Sequence, residues 1–312
     1  MVKEAIRTAK LSKRYGTKNV VDNLNLSIKP GEIVGFLGLN GAGKTTTMRM
    51  MLGLIKSTSG ECYIQGKKLD LSNLELRNEI GYIIETPYSY PDLTVRENLE
   101  IVSKLRGVNK DNIDWAIEKL KLKQYEHKQE KHLSLGNVAR LGIAKAIIHK
   151  PKILILDEPT NGLDPFGVIE VRELLKELAN NLGTTVLISS HNLEEISKIA
   201  TRIVIVHEGR LIREVESNEL EQYLEKRLLV TGSNNKAMKE VLSNHGYHAN
   251  IQSDKENNIN FLELTDRKSV EYPEKIATLL VNAGYPPKSL IVEKEDLENY
   301  FLRILNDCNR GA

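Results

Sequence analysis

The stretch that decides the fold is residues 33–45, which reads Ile-Val-Gly-Phe-Leu-Gly-Leu-Asn-Gly-Ala-Gly-Lys-Thr. Its first part, Ile33 to Leu37, is almost wholly apolar, which predicts a β-strand covered on both faces. The next eight residues match G-x-x-x-x-G-K-[ST], a pattern whose glycines let the backbone turn tightly and point its N–H groups at phosphate oxygens. A helix that starts near Lys44 adds the positive end of its dipole to the same place.

Each position of this loop is a candidate phosphate ligand. Lys44 is expected to reach the β- and γ-phosphates of a nucleotide, and the Thr45 hydroxyl is expected to ligate Mg²⁺. The predicted nucleotide-binding residues of the loop are Gly38, Leu39, Asn40, Gly41, Ala42, Gly43, Lys44, Thr45 and Thr46.

Outward from this loop, short apolar runs alternate with longer amphipathic patterns from residue 2 to about residue 213. Further strands are predicted at Ile153 to Leu156, Thr185 to Ile188 and Ile203 to Val206. The alternation is typical of an α/β domain with a mostly parallel sheet, and with the phosphate loop it indicates a P-loop NTPase fold. The pattern is mostly helical from Asn73 to Leu133, and we expect an inserted helical subdomain at about residues 73–148.

Composition limits what the chain can be. Its 312 residues suggest about two domains, and 44 Lys and Arg against 42 Asp and Glu give a net charge of +2, which argues against nucleic acid as a partner. Cys62 and Cys308 lack nearby His or Cys companions, which excludes a disulfide framework or zinc cluster and suggests a reducing, cytoplasmic setting. No apolar run approaches the ~18 residues of a membrane span, and Met1 to Lys10 lacks a signal-peptide core.

The pattern changes after Arg213. We expect residues 1–213 to form one domain, residues 214–227 a charged helical connector, and residues 228–312 a small C-terminal accessory α+β domain. In that last region strands are predicted at 228–231, 248–253, 258–265 and 289–293, and helices at 236–244, 270–282 and 296–305. This is the ferredoxin-like order βαββαβ followed by one more helix.

Two acidic residues, Asp157 and Glu158, directly follow the predicted strand Ile153 to Leu156. Open parallel sheets bind ligands at the carboxyl ends of their strands, so these carboxylates are candidates for a catalytic centre. We expect Asp157 to ligate Mg²⁺ and Glu158 to act as the general base on an attacking water. Acidic residues after a strand also serve as helix caps, but Pro159 and the upstream phosphate loop favour the catalytic interpretation.

Three further groups follow in chain order: Leu133-Ser134-Leu135-Gly136-Asn137 with Arg140, then Asn161-Gly162-Leu163-Asp164, then Ser189-Ser190-His191. With these motifs, the chain resembles the nucleotide-binding subunit of an ABC transporter over about residues 2–213. The resemblance implies an ATPase that uses ATP and Mg²⁺ and powers a separately encoded integral-membrane permease. It also implies a peripheral place on the cytoplasmic face of the membrane, with membrane contact through the permease.

The resemblance implies roles for individual residues. Tyr15 matches the aromatic residue that stacks on adenine, with a packed core tyrosine as the alternative. Ser134 and Gly136 match the signature motif, which contacts the γ-phosphate bound by a second subunit, so a head-to-tail dimer of identical chains is expected. Asp164 matches the loop that crosses the dimer interface, and His191 matches the histidine that contacts the γ-phosphate and positions the water.

Two departures from the family pattern narrow the assignment. Glu85 stands where the family usually has a Gln that touches Mg²⁺ and water, and Leu135-Gly136-Asn137 replaces Gly-Gly-Gln. With the segment Thr86-Pro87 to Pro91, these features are similar to the ATPase subunits of bacitracin-resistance and lantibiotic-immunity exporters. We therefore expect Glu85 in the catalytic and metal site of an exporter of peptide antibiotics or similar amphiphiles.

Two other functions are compatible with such a fold: a soluble ABC ATPase acting on ribosomes or DNA, and a regulatory nucleotide-binding module without catalysis. Tandem cassettes or a very long coiled coil are expected for the first, whereas this chain has one phosphate loop and only 134 − 44 = 90 positions between Lys44 and Ser134. The presence of Lys44, Asp157, Glu158 and His191 together argues against the second.

Overall fold

The computed structural model describes residues 4–70, 75–85, 89–254 and 259–310. The chain divides into two compact units, residues 1–219 and residues 220–312. The strands of the first unit are β1 (Ile6–Tyr15), β2 (Lys18–Ile28), β3 (Ile33–Leu37), β4 (Ser59–Ile64), β5 (Lys67–Lys68), β6 (Ile80–Ile83), β7 (Ile153–Asp157), β8 (Thr185–Ser190), β9 (Arg202–His207) and β10 (Arg210–Glu216). Its helices are α1 (Lys44–Met51), α2 (Glu75–Asn78), α3 (Val95–Arg106), α4 (Lys110–Lys119), α5 (Leu135–Ile147), α6 (Pro165–Leu182) and α7 (Leu193–Ser197).

The larger sheet of the first unit has the order β10-β9-β3-β8-β7-β6. Its pairings are parallel except for β10, which runs antiparallel to β9. Every residue of β3 and β7 is buried, as expected for apolar strands covered on both faces. Because β3 lies between β8 and β9 with β7 next to β8, the loops after these strands meet at one edge, where the predicted site residues lie.

A second, antiparallel sheet of order β2-β1-β4-β5 begins the first unit. It shares one core with the parallel sheet, since Ile6 and Leu24 from β1 and β2 belong to the same buried cluster as Phe36 from β3 and Ile155 from β7. Methionines of α1 complete this cluster beneath the phosphate loop. The helix that carries Lys44 and Thr45 is therefore anchored from both sheets.

The expected helical subdomain at residues 73–148 needs a correction, because this range contains β6, a strand of the parallel sheet. Ile80 and Ile83 are buried against the core, and the helices α3, α4 and α5 follow later. A Cβ at Gly81 would clash with the carbonyl oxygen of Ala146, so this glycine allows α5 to approach the strand closely. Asn73, the first residue of the expected range, lies outside the described residues.

The expected connector at residues 214–227 was also wrong at its start, since β10 extends to Glu216 and pairs with β9. Charged residues alternate here with the buried Val215, and Glu214 forms an ion pair with Arg202. The dense charge suggested a solvated helix, but period-two alternation on an edge strand produces the same composition. Only one short helix, α8 (Leu220–Tyr223), lies between β10 and the next strand.

The second unit contains one antiparallel sheet of order β12-β13-β11-β14. Its elements are β11 (Lys226–Thr231), α9 (Asn235–Asn244), β12 (Ala249–Asp254), β13 (Ile259–Leu264), α10 (Arg267–Glu271), α11 (Pro273–Asn282), β14 (Ser289–Lys294) and α12 (Leu297–Arg310). Leu228 and Val230 of β11 pack with Met238 of α9 and Ile276 of α11 in its core. The helix expected at 270–282 is divided, because Pro273 keeps Tyr272 out of the helical region of φ and ψ. Asn258, the expected first residue of one strand, lies outside the described residues.

None of the helices in the described ranges is both long enough and apolar enough to cross a membrane.

Candidate active site

The phosphate loop connects β3 to α1 and is shaped by two glycines with positive φ. Gly41 has φ 82° and Gly43 has φ 96°, in the region that side-chain-bearing residues rarely adopt. A Cβ at Gly43 would also lie 2.5 Å from the carbonyl oxygen of Val20. Gly43 caps α1 without any side-chain hydrogen bond, so backbone N–H groups of the first turn are left for an anion.

Lys44, the first residue of α1, is buried with its ammonium inside the loop. Its Nζ donates to the carbonyl oxygen of Gly38 at 2.7 Å and lies 3.6 Å from Oε1 of Glu158. The cation thus connects the phosphate loop to the acidic end of β7. Both were predicted to lie at the same edge of the parallel sheet. A phosphate entering the loop would meet a positive charge that is already positioned.

Thr45 and Asp157 were expected to share a metal ion, and the structure brings their side chains into contact. The Thr45 hydroxyl donates to Oδ2 of Asp157 at 2.6 Å. The Ser189 hydroxyl donates to Oδ1 of the same carboxylate at 2.5 Å and accepts the Glu158 backbone N–H at 2.9 Å. These oxygen atoms are the donors that hard divalent cations prefer. The described residues contain no group of three or more His, Cys, Asp or Glu side chains that could hold a metal ion.

Glu158 follows β7 with φ 47°, an uncommon conformation for a residue with a side chain. Its Oε2 accepts a hydrogen bond from Asn161 Nδ2 at 2.8 Å and lies 3.3 Å from His191 Nδ1. Burial raises the pKa of this carboxyl, but hydrogen bonds from Asn161 and His191 and the charges of His191 and Lys44 outweigh burial, so the pKa is lowered. The group is therefore held as a carboxylate at neutral pH, the form in which it can accept a proton.

Three sequence-predicted residues occupy capping or surface positions. Ser134 is the N-cap of α5 and accepts from the Asn137 N–H at 3.4 Å, while Asp164 caps α6 by accepting from the Gly167 N–H at 2.9 Å. Tyr15 at the end of β1 is 51% exposed, with Lys13 Nζ 5.0 Å from its ring centroid, so it is not a packed core tyrosine.

Gly136 lies beside the loop that precedes α6. A Cβ at Gly136 would be 3.2 Å from the carbonyl oxygen of Gly162 and in van der Waals contact with Leu163. The N-terminal turn of α5 therefore packs on the loop that leads to Asp164, within one chain. Leu135, between Ser134 and Gly136, is 70% exposed.

Glu85 follows β6 and, like Glu158, has a positive φ, here 59°. Its Oε1 is 2.7 Å from Nη2 of Arg49 on α1. Thr86 and Pro87, which contributed to the sequence comparison with exporters, lie outside the described residues. Glu85 lines a cleft of about 400 Å³ together with Thr45, Asp157 and Glu158. Leu135 and Gly162 line the same cleft.

The sequence motifs assigned no individual role to three residues that contribute to the site. These are Ser189, whose hydroxyl bridges Asp157 and Glu158, and also Asn161 and Arg49. Ser189 could have been found, because it ends the strand next to Asp157 and such strand ends converge. Asn161 lies within the motif that follows Glu158 and is close to it in sequence. Arg49 carried no sequence signal, since nothing in the pattern of α1 connects it to the segment after β6.

Comparisons with known proteins identify the family of the chain. A family model described as "ABC transporter" matches residues 21–161, and one described as "AAA domain, putative AbiEii toxin, Type IV TA system" matches residues 130–197. The chain is 40% identical to the bacitracin transport ATP-binding protein BcrA of Bacillus licheniformis, covering 98% of this chain and 99% of that protein. It is 38% identical to BcrA of Enterococcus faecalis over 96% of each chain.

The lantibiotic transport ATP-binding protein SrtF of Streptococcus pyogenes is 38% identical, covering 72% of this chain and 97% of that one. Among solved structures, the ATP-binding cassette MJ0796 in a dimeric post-hydrolysis state bound to ADP and Pi aligns with a TM-score of 0.63 and 28% identity. That alignment covers 68% of this chain and 98% of the cassette. The phosphate loop, the acidic end of β7 and the near-full-length similarity lead to one conclusion: the chain belongs to the ABC transporter ATP-binding proteins and is an ABC-type ATPase.

Proposed function

We propose that this ATPase powers a separately encoded membrane permease that exports a peptide antibiotic or a similar amphiphile and thereby makes the cell resistant to it. The observation that carries the proposal is the extent of the similarity to two bacitracin transport proteins, 98% and 96% of this chain. The similarity to these two proteins therefore includes the second unit. The lantibiotic transport relative supports the same class of cargo over 72% of the chain.

ATP is expected to lie over the phosphate loop, with Lys44 donating to its β- and γ-phosphates and Tyr15 stacking on adenine. The 51% exposure of Tyr15 supports this contact, since the residue is accessible to a base. Thr45 and Asp157 would hold Mg²⁺, which fits their oxygen-only donor set, with Glu85 at the edge of the same cleft. When bound, this ion supplies neutralisation of the charge that develops on the phosphate oxygens.

Hydrolysis requires a base and an oriented water, and Glu158 is the group placed for the first task. Its lowered pKa keeps it ionised at neutral pH, and Asn161 and His191 fix one of its oxygens. His191 is more than half exposed, so its imidazole has room to contact a γ-phosphate as well. We assign Glu158 as the general base and His191 as the group that positions the water.

Two copies of the chain are expected to pair head to tail, with Ser134 and Gly136 of one copy facing the nucleotide on the other. Exposed apolar side chains near both motifs support this assembly, since Leu135 is 70% and Phe166 77% exposed. Phe166 follows Asp164, the residue proposed to lie at the dimer interface. The similarity to a cassette solved as a dimer supports the same arrangement.

We further propose that the second unit is a ferredoxin-like accessory domain, supported by its strand order β12-β13-β11-β14 and its alternation of strands and helices. The domain boundary is placed in residues 217–225, between β10 and β11. The subunit is placed at the cytoplasmic face of the membrane, held there by the permease.

Drug resistance tests the proposed cargo. The chain would be produced together with a candidate permease in a bacitracin-sensitive host, and the minimal inhibitory concentrations of bacitracin and of a lantibiotic would be measured. The parent is expected to raise at least one of them, and Glu158→Gln at equal protein level is expected to raise neither. Equal sensitivity of cells with and without the parent pair would contradict the proposed export.

A further inference from the structure

Three carboxylates line the cleft that receives the nucleotide: Asp157, Glu158 and Glu85. A nucleoside triphosphate brings several more negative charges, so each carboxylate must be compensated before the ligand binds well. Asp157 accepts hydrogen bonds from two hydroxyls, and Glu158 has Lys44 and His191 beside it.

The compensation of Glu85 comes from a different element. Nη2 of Arg49 lies 2.7 Å from Oε1 of Glu85, an N⁺–H···O⁻ distance typical of a charge-assisted hydrogen bond. Arg49 belongs to α1, the same helix whose first turn presents Lys44 and Thr45. Its carbonyl oxygen accepts the Leu54 N–H at 2.9 Å, which fixes its backbone.

The Glu85 side chain is largely exposed, and its backbone is strained. Its side chain is 61% exposed, and its backbone adopts a left-handed conformation that costs free energy for a residue with a Cβ. Arg49 is also partly exposed, at 36%. An ion pair of this kind contributes little to folding, so its effect should appear in ligand binding rather than in stability.

We infer that Arg49 is a positioning residue that holds Glu85 at the edge of the cleft and offsets its charge, so that a nucleoside triphosphate can enter. The inference deepens the proposed function, since it rests on the nucleotide site at Lys44 and Thr45. It follows that the contribution of Arg49 to ATP affinity depends on the charge of Glu85. When residue 85 is a neutral amide, Arg49 has no carboxylate to offset.

A double-mutant cycle tests this dependence. The dissociation constant of ATP would be measured by titration calorimetry in EDTA, without divalent metal, for the full-length parent, Arg49→Ala, Glu85→Gln and the double variant. Arg49→Ala is expected to weaken ATP binding about fivefold more in the parent than in the Glu85→Gln background, which corresponds to about 1 kcal/mol. Arg49→Lys should restore the affinity, and high salt should reduce the difference.

Lys119 and Glu177 provide the matched control, since they form a 2.6 Å ion pair between α4 and α6 and neither lines the cleft. Lys119→Ala and Glu177→Gln remove the same charges and are expected to leave ATP affinity unchanged. An Arg49→Ala effect of equal size in both backgrounds, or none in the parent, would overturn the inference. The result of the double-mutant cycle does not change the interpretation of the resistance assay. If the resistance assay fails, the ATP dissociation constants can still be measured and compared.

Discussion

Two segments of the cleft carry a glutamate directly after a parallel strand, and the two glutamates differ in exposure and in the number of groups that hold them. Glu158 after β7 and Glu85 after β6 both have positive φ, 47° and 59°. The Glu158 side chain is 22% exposed and has three partners, Lys44 of α1, His191 after β8 and Asn161 in its own loop. The Glu85 side chain is 61% exposed and is paired with Arg49. The same local geometry thus yields one carboxylate held by several groups and another that, among the described residues, is held by the Arg49 cation.

The largest effect on nucleotide binding is expected at Lys44, the cation beside Glu158. Hydrogen bonds to charged groups are worth about 1.5–3 kcal/mol, so Lys44→Ala should weaken ATP binding by about tenfold to a hundredfold, a larger loss of affinity than Arg49→Ala causes. Titration calorimetry of both variants measures the ratio. If Arg49→Ala lost more ATP affinity than Lys44→Ala, the segment of Glu85 rather than that of Glu158 would matter more for nucleotide binding.

Ser189 is one of the groups that hold the segment after β7, because its hydroxyl connects the carboxylate of Asp157 to the backbone N–H of Glu158. Ser189→Ala leaves Oδ1 of Asp157 and an N–H group without this partner, so we expect hydrolysis to fall about tenfold and stability by about 1–3 kcal/mol. Steady-state ATPase assays and thermal denaturation measure the two effects.

Ser103→Ala is the matched control, since this buried hydroxyl of α3 donates to the carbonyl oxygen of Val108, which follows the helix. It should lower stability but leave hydrolysis unchanged. If Ser103→Ala reduced hydrolysis as much as Ser189→Ala, the loss would reflect general destabilisation rather than the position of Asp157.

A smaller effect is expected for Glu85→Gln. The substitution keeps the shape of the side chain and removes a charge that Arg49 already offsets, so the hydrolysis rate should change by no more than about fivefold. The same ATPase assay measures it, and Glu85→Ala with unchanged ATPase rate and unchanged transport would remove Glu85 from any role in the cycle.

The smallest effect concerns Asn161 and depends on pH. Its hydrogen bond helps to lower the pKa of Glu158 below the ordinary value of 4.5, so its contribution to stability is present above that value and is lost as the pH falls through the folded-state pKa. Asn161→Ala should lower Tm by about 2 °C near neutral pH and by less in acid. Thermal melts across this range test the sign, and a larger difference in acid would contradict it.

The parts of the fold that were predictable are those with strong local signals. The phosphate loop and the strand Ile33–Leu37 follow from glycine spacing and a continuous apolar run. Charged elements were harder, since the charges of β10 suggested a helix. The break before Pro273 could have been predicted, because the residue before proline avoids helical backbone angles.

The site was predictable where residues end neighbouring strands, as Asp157 and Ser189 do. The contact between Arg49 and Glu85 was not, because α1 and the segment after β6 are distant in sequence and no periodicity connects them. Long-range ion pairs on exposed surfaces depend on tertiary geometry alone. For this reason the pairing of Glu85, the less constrained of the two glutamates, could be recognised only from the structure.

The role of Glu158 as the general base is tested most directly by measuring phosphate release from bound ATP in a single turnover of Glu158→Gln. With Mg²⁺ present, the rate is expected to fall about 10²–10⁴-fold relative to the parent, because the amide cannot accept a proton from water. The ATP dissociation constant should stay close to that of the parent, since Lys44 and Thr45 are unchanged. A rate equal to that of the parent would show that Glu158 is not the base and that the better-held carboxylate has only a structural role.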